Sequence, residues 1–272
     1  MKTLPEKTSS ALSIPIYVIN LNRSPGRLEN ITSQLGHRGL HFHRIAAVDA
    51  AELTEQAIQQ VFDGARARRA YFVPMHRGEI ACFLSHRRAW QAFIDETDAP
   101  FCVVLEDDAA LDDAFSSVVQ AVVEHRPFGW DFVRLYTRRP LFSWDAAPLI
   151  DGHRLVRHLR QPVGTVGQII SRAGAVKLLA RTNRIRRPLD VQLQFWWELG
   201  VRILSVDPPV VSEMSNQLGG TTLRDTKKMV AGNLSRNLKR IVFRSRLLVN
   251  SAFHAALQAM WASHSGVSDE GN

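Results

Sequence analysis

Five consecutive apolar residues, Phe101–Leu105 (FCVVL), run straight into three carboxylates, Glu106-Asp107-Asp108. A strand without polar alternation has no wet face, so this run reads as a central strand of a parallel sheet covered by helices on both sides. Ile14–Leu21 (IPIYVINL) has the same β-branched, buried character. Turn residues Asn22–Gly26 break it, and Leu28, Ile31 and Leu35 then recur at helical spacing until Gly36 or Gly39. His41–Ala46 reads as the next strand. A β-α-β opening of this kind favours an α/β fold, a mostly parallel sheet with crossover helices.

The rest of the chain continues the alternation. Helices are predicted over Leu53–Phe62 and Glu79–Ile94, the second with a core stripe of Ile80, Phe83, Leu84, Gln91 and Ile94 and with Trp90 beside it. The Arg-rich segment Gly64–Pro74 between them reads as irregular. A helix near Asp113–Glu124, a strand at Trp130–Leu135, a loop-rich stretch with a hairpin over Arg138–Pro162 and a strand at Val166–Ile170 follow. Ser171 suits the N-cap of a helix over Ala173–Ala180. Pro188-Leu189-Asp190 opens another helix, and Val201–Val206 is the last clear strand, stopped by Pro208-Pro209.

The formal net charge is +8, and it is unevenly spread. Residues 221–272 carry eight Lys and Arg against three Asp and Glu, so five of the eight surplus charges sit in the last fifth of the chain. There Leu234, Leu238, Ile241, Val242, Leu248 and Val249 recur at near-helical spacing among Arg and Lys. Such a segment rests on an anionic membrane leaflet or packs back on the main domain, and the sequence leaves both open. Two cysteines, Cys82 and Cys102, both in apolar runs, fit a reducing compartment. No apolar stretch approaches the roughly 18 residues of a membrane span, and Met1–Ser13 lacks a signal-peptide core. The expectation is a cytoplasmic protein, peripheral on the inner face of the inner membrane.

Chemistry concentrates at strand ends, where open α/β sheets bind ligands. Three adjacent carboxylates repel one another, and a Mg²⁺ or Mn²⁺ ion resolves the conflict while holding a diphosphate. A solvated acidic turn is the alternative. In Gly78–His86, Glu79 and His86 are seven residues apart and share a part-buried helix face; His86 reads first as a satisfied core residue. Asp190 is either a helix cap or a general base. After the first strand, Arg23 and Arg27 suit a diphosphate, and Asn20 and Asn22 suit a base or ribose, although turn chemistry explains the Asn residues equally well. Gly164-Thr165 allows a close approach to a ligand, or is a plain junction.

Several segments occur in a specific order: VINLNRSPGRLENI (18–31), GEIACFLSHRRAW (78–90), VVLEDDA (103–109), WDFVRL (130–135), GTVGQIISRAGAVKLL (164–179), PLDVQL (188–193) and VDPPVV (206–211). Together they resemble glycosyltransferase family 25, the lipooligosaccharide galactosyltransferase group that includes collagen galactosyltransferase-like enzymes. The resemblance implies a GT-A-type, Rossmann-like sandwich over 14–215, between a flexible N-terminus (1–13) and a basic, partly helical extension (216–272). It implies a UDP-sugar donor, usually UDP-galactose, transfer with inversion to a β-linkage, and a lipooligosaccharide, LPS or other surface-glycan acceptor. Glu106-Asp107-Asp108 falls where such folds carry an acidic Asp-x-Asp metal motif. Asp108 would then be the direct ligand of Mn²⁺ or Mg²⁺, and Glu106 would lie near the metal or the ribose. Asn20, Asn22, Arg23, Arg27, Asp107, Gly164 and Thr165 would surround the donor. Asp190 would be the base, Glu79 the runner-up, and His86 an acceptor-side or structural residue.

Two other classes fit parts of the chain. A metal-dependent nucleotidyl or phosphoryl transferase would also need a carboxylate cluster, but no Gly-x-x-x-x-Gly-Lys loop is present. A basic nucleic-acid-binding module fits the charge and no recognised reading motif.

Overall fold

A computed structural model describes residues 14–125, 129–138, 141–214 and 234–265; the expected flexible N-terminus, 1–13, lies outside the described residues. The β-α-β opening is present as β1 (Ile16–Asn20), α1 (Pro25–Gly36) and β2 (His43–Ala46). Helices α2 (Glu55–Val61), α3 (Gly64–Ala70) and α4 (Arg77–Glu96) lead to β3 (Phe101–Glu106). Then come β4 (Ala109–Leu111), α5 (Phe115–His125), β5 (Phe132–Arg134), β6 (Ser143–Pro148), β7 (Arg154–His158) and β8 (Gly167–Ser171). The chain continues through α6 (Arg172–Arg181), α7 (Leu189–Gln192), a 3-10 turn at Leu193–Phe195, α8 (Trp196–Leu199), β9 (Ile203–Asp207), β10 (Val211–Glu213) and α9 (Leu234–Ser265).

Eight strands form one sheet in the order β2-β1-β3-β8-β5-β9-β7-β6, and β4 pairs with β10 in a small second sheet. β1 is parallel to β2 and β3; β8 opposes both β3 and β5, which returns β5 to the common direction. β9 follows β5, β7 opposes β9, and β6 opposes β7. Six of the eight strands therefore run one way, and only β7 and β8 run against them. The hairpin expected in Arg138–Pro162 is β6–β7, closed through Asp151 and Gly152 at φ 53° and 79°, the positive-φ pair that matches strand twist.

The sheet is the middle of three layers because alternate residues of each strand feed opposite cores. Ile16, Val18, Val103 and Leu105 pack with Ile31 and Leu35 of α1 and Phe115, Val119 and Val122 of α5. Tyr17, Ile19, Cys102 and Val104 pack with Phe83, Trp90 and Phe93 of α4 and with Ala175 and Leu178 of α6.

Two local expectations need correction. Residues 64–70 are helical, because Asp63 caps them by accepting from the backbone N–H of Arg66 at 2.9 Å. The buried stripe of α4 is Ile80, Phe83, His86, Trp90 and Phe93, with Gln91 exposed and Leu84 and Ile94 only partly covered. The stripe is turned toward Trp90 because α4 is wedged between β1 and α6.

Parallel register aligns the strand ends that matter. Asn20 pairs with Ala46, and Ile19 with Glu106, so β1, β2 and β3 end side by side. β8 starts at the same edge, where Gly167 pairs with Leu105.

The close approach of α6 to the sheet yields a stability prediction. A Cβ on Gly174 would sit 2.3 Å from the Asp131 carbonyl oxygen, which already accepts from the Ser171 N–H. Gly174→Ala is expected to cost about 1–3 kcal/mol in urea unfolding. Gly26→Ala, with nothing within 4 Å of the added carbon, should leave stability unchanged or slightly higher. Equal midpoints for the two variants would refute this packing.

Candidate functional site

A cleft of about 240 Å³ opens at the shared edge of β1, β2 and β3. Its walls come from Leu21, Arg23 and Arg27 after β1, Ala47–Ala51 after β2, and Glu106–Asp108 after β3. The first half of α4 closes one side with Gly78, Ala81, Cys82, Ser85 and His86, and Glu213 of β10 adds a further carboxylate. The Ala47–Ala51 wall is pinned in place. Val48 N–H donates to Ser85 Oγ at 2.9 Å, Arg88 donates to the Ala46 carbonyl at 2.7 Å, and Arg23 Nε donates to Asp49 Oδ2 at 2.6 Å. The Arg23 hydrogen bond is the main reason that the Asp49 carboxyl lies below its ordinary range.

Glu106 is held by partners on two sides. Its Oε1 accepts from Thr165 Oγ1 at 2.6 Å and lies 3.1 Å from His86 Nε2. The other ring nitrogen of His86 lies 2.9 Å from Gln168 Nε2, so the imidazole is fixed at both ends. Burial pushes the Glu106 carboxyl up, but His86, Thr165 and the Arg27 charge outweigh it and hold the group below the usual range.

Asp107 and Asp108 meet the opposite balance. Asp107 Oδ2 accepts from Asn20 Nδ2 at 2.7 Å and Oδ1 from Arg27 at 3.3 Å, yet burial keeps its pKa raised. Asp108 is buried, with Oδ2 3.6 Å from the Arg27 guanidinium and Oδ1 without a hydrogen-bond partner. Burial first, then the charges of Glu106 and Asp107, push its pKa up to about 7. A buried oxygen without a donor costs roughly 1–3 kcal/mol, and a hard cation is the ligand that such an oxygen accepts. The acidic edge therefore fits a divalent ion, with Asp108 offering the vacant donor atom. Cys82, His86 and Glu106 also bring potential ligand atoms within 4.8 Å of one another. The Cys82 thiol, however, is pushed well up by burial and by the carboxylates of Glu106, Asp190, Asp108 and Glu79, and a protonated thiol is a poor ligand for Mg²⁺ or Mn²⁺.

A second group, Arg134, Gly164 and Asp190, lies outside the cleft lining. Arg134, fully buried at the end of β5, donates from NH1 to the Gly164 carbonyl, and its Nε and NH2 have no hydrogen-bond partner. Burial lowers its pKa to about 10, opposed by the charge of Asp190. Asp190 in turn accepts from the N–H groups of Val191 and Gly164, while burial raises its pKa. Gly164 has φ +101°, and a Cβ there would lie 2.4 Å from Tyr136 Cε1, so only glycine suits the junction. The segment carrying Asp190 is fastened by Arg187, which donates to Glu198 at 2.7 Å and to Gln192 at 3.2 Å and lies 3.7 Å over the Phe195 ring.

Comparison with known proteins decides the family. The model for "Glycosyltransferase family 25 (LPS biosynthesis protein)" matches residues 13–193. The chain belongs to glycosyltransferase family 25. A "Glycosyltransferase 25 family member" of Drosophila pseudoobscura pseudoobscura is 30% identical over 181 residues, covering 65% of this chain and 28% of the relative. "Procollagen galactosyltransferase 1" of Danio rerio is 26% identical over 199 residues, 70% of this chain and 32% of the relative. The chain thus spans under a third of the length of these curated relatives. Among solved structures, a glycosyltransferase involved in the glycosylation of the major capsid of PBCV-1 aligns at 9% identity and TM-score 0.36, over 71% of this chain and 80% of that one.

Within this family 25 chain, Arg23, Arg27, His86, Glu106, Asp107 and Asp108 all line the cleft. Asn20 is buried behind it as an orienting donor to Asp107. Asn22 accepts from Arg44 at 2.6 Å on the exposed flank, outside the cleft lining. Thr165 touches Glu106, whereas Gly164 packs against Tyr136 and links Arg134 to Asp190. Glu79 Oε2 accepts from the His76 N–H at 2.9 Å, the N3 position of a capping box. Ala47–Ala51, Ser85, Arg134 and Glu213 were not singled out by sequence. The three alanines after β2 carry no chemical signature, Asp49 reads as an ordinary turn residue, and a lone Arg inside an apolar strand reads as sheet.

The raised Asp108 pKa sets the sign of a pH effect. The folded state keeps this proton up to about 7, and an unfolded Asp releases it near 3.9. Metal-free protein should therefore lose stability as pH rises between those values. Asp108→Asn removes the buried charge and is expected to flatten that decline and raise the urea midpoint at neutral pH. A wild-type profile in the variant would contradict the assignment.

Proposed function

We propose that the protein is a glycosyltransferase that moves galactose from UDP-galactose, with inversion to a β-linkage, onto a lipooligosaccharide, LPS or other surface-glycan acceptor. The observation that carries this reading is the vacant, buried Asp108 Oδ1, set in a cleft that also presents Arg23 and Arg27. Such a cleft suits a ligand that brings both a diphosphate and a divalent cation. Family membership supports sugar transfer, and a relative named as a procollagen galactosyltransferase supports galactose. Residues 14–215 form the GT-A-type catalytic unit in this proposal, with 216–272 as a basic extension. The acceptor is presented at the cytoplasmic face of the inner membrane.

Each group at the edge has a role in this reading. Asp108, with Glu106 beside it, holds Mn²⁺ or Mg²⁺. The bound cation would neutralise negative charge on the diphosphate. Arg27 reaches Asp107 and Asp108 and shares that task; Arg23 faces the same cleft from the β1 loop. The His86–Glu106–Thr165 arrangement keeps Glu106 ionised and fixed in orientation, and Asn20 does the same for Asp107. The small side chains of Ala47, Ala50 and Ala51 on the cleft wall leave room for the uracil and ribose. Asp190 is the base that takes the proton of the acceptor hydroxyl, since burial makes its carboxylate a stronger base than an exposed one. Its link through Gly164 to Thr165, the neighbour that donates to Glu106, supports that role. Glu79, committed to the α4 cap, is a weaker candidate.

A thermal-shift panel of UDP-sugars with and without Mn²⁺ tests the site. UDP-galactose with Mn²⁺ is expected to give the largest stabilisation, and Asp108→Ala to abolish it. Asp190→Asn should keep that shift yet lower galactose transfer by about 10²–10⁴-fold. A shift that needs no metal and survives Asp108→Ala would overturn the site, and full transfer by Asp190→Asn would remove the base.

A further inference from the structure

Helix α9 has two unlike faces. Phe243, Leu247, Ser251 and His254 turn inward. Phe243 meets the rings of Tyr71 at 5.5 Å and Phe195 at 5.6 Å, and His254 stacks on Trp197 at 5.3 Å. The opposite face is uncovered and mostly apolar, with Ser245 among its larger apolar residues. Leu238, Ile241, Val242, Leu248, Val249 and Phe253 are between 43% and 68% exposed. At 3.6 residues per turn these six fall in an arc of about 140° centred opposite the fully buried Leu247. Lys239 and Arg246 border the arc on one side and Arg244 on the other, with Arg240 beyond Arg244 toward the buried line. Residues 234–265 contain no Asp or Glu.

We infer that this outer face of α9 is a docking surface for an anionic phospholipid bilayer, on which the helix lies in the plane of the headgroups. A helix with an apolar stripe between cationic borders matches that environment on both counts. No described helix is long and apolar enough to cross a membrane. A second copy of the chain would bring the same four cations against one another, so like charge opposes self-pairing through this face. The inner contacts give the docking a consequence. α9 rests on the turn that follows Asp190, and its Lys239 joins Tyr71, Phe72 and Met75 in lining a second cavity of about 450 Å³. Tyr71 also packs against the cluster of Val191, Phe195 and Leu247, so one wall of this cavity touches the segment that follows Asp190. A bilayer beneath α9 would hold a lipid-borne acceptor beside that cavity.

The inference deepens the proposed function and rests on it for the acceptor alone; lipid binding is scored without donor or acceptor. The full chain is sedimented with phosphatidylcholine vesicles, with or without phosphatidylglycerol. Binding is expected to the anionic vesicles, falling as salt is raised. Leu248→Asp with Val249→Asp should weaken it by at least about tenfold, and Lys239→Glu with Arg244→Glu should remove the preference for anionic lipid. Val249→Trp should strengthen binding, which guards against a variant that merely fails to fold. Asp108→Ala should bind vesicles like the wild type, so loss of the nucleotide site and loss of docking are separable. Equal partition onto both lipid mixtures overturns the inference. So does vesicle binding unaltered by the Asp pair, or a dimer that the Asp pair converts to monomer while vesicles remain unbound.

Discussion

The account depends on the electrostatic cost of placing Glu106, Asp107 and Asp108 together at a buried sheet edge. Like charges in such a place raise one another's proton affinity, and the protein settles the conflict unevenly. Glu106 receives His86 and Thr165 and stays ionised; Asp107 receives Asn20 and Arg27. Asp108 is left with Arg27 at 3.6 Å from one oxygen and no donor on the other. The deficit is concentrated in one atom, at the position where a cation would relieve it.

The sheet makes that concentration possible. Parallel pairing of β1 with β2 and β3 brings Asn20, Ala46 and Glu106 to one line, and α4 lays His86 and Cys82 across it. β8, running against its neighbours, delivers Thr165 to Glu106 and Gly164 to Asp190 from the same edge. Arg187 and α9 brace the Asp190 segment from outside. The cleft thus lies at the ends of β1 to β3, and Asp190 on the β8–α7 side.

Much of this was legible in the residues. The run Phe101–Leu105 and its acidic stop, the β-α-β opening and the Ser171 cap each carry a local physical signal, and the structure contains all three. The direction of β8 was not legible, since a strand buried on both faces looks the same whichever way it runs. Helix α3 was hidden because Gly, Ala and Arg give no apolar period; its signal was the Asp63 cap. β4 and β10 are three residues each, too short for any pattern. Among the cleft-lining residues, the acidic triplet, Arg23 and Arg27 are charged types at strand ends and so stand out in the sequence. Glu79 shows the reverse case: its carboxylate looked catalytic by type and serves the helix start, as its place three residues after His76 permits. The α9 segment could be read as amphipathic, but only its packing shows which face the protein covers.

Isothermal titration of Mn²⁺ into the metal-free protein, in buffers of different ionisation enthalpy, measures protons released per cation bound. If Asp108 holds a proton that a cation replaces, about one proton should leave per Mn²⁺ below pH 7, fading above it and vanishing in Asp108→Asn. Mn²⁺ binding with no proton release at pH 6, or no binding at all, would contradict the account.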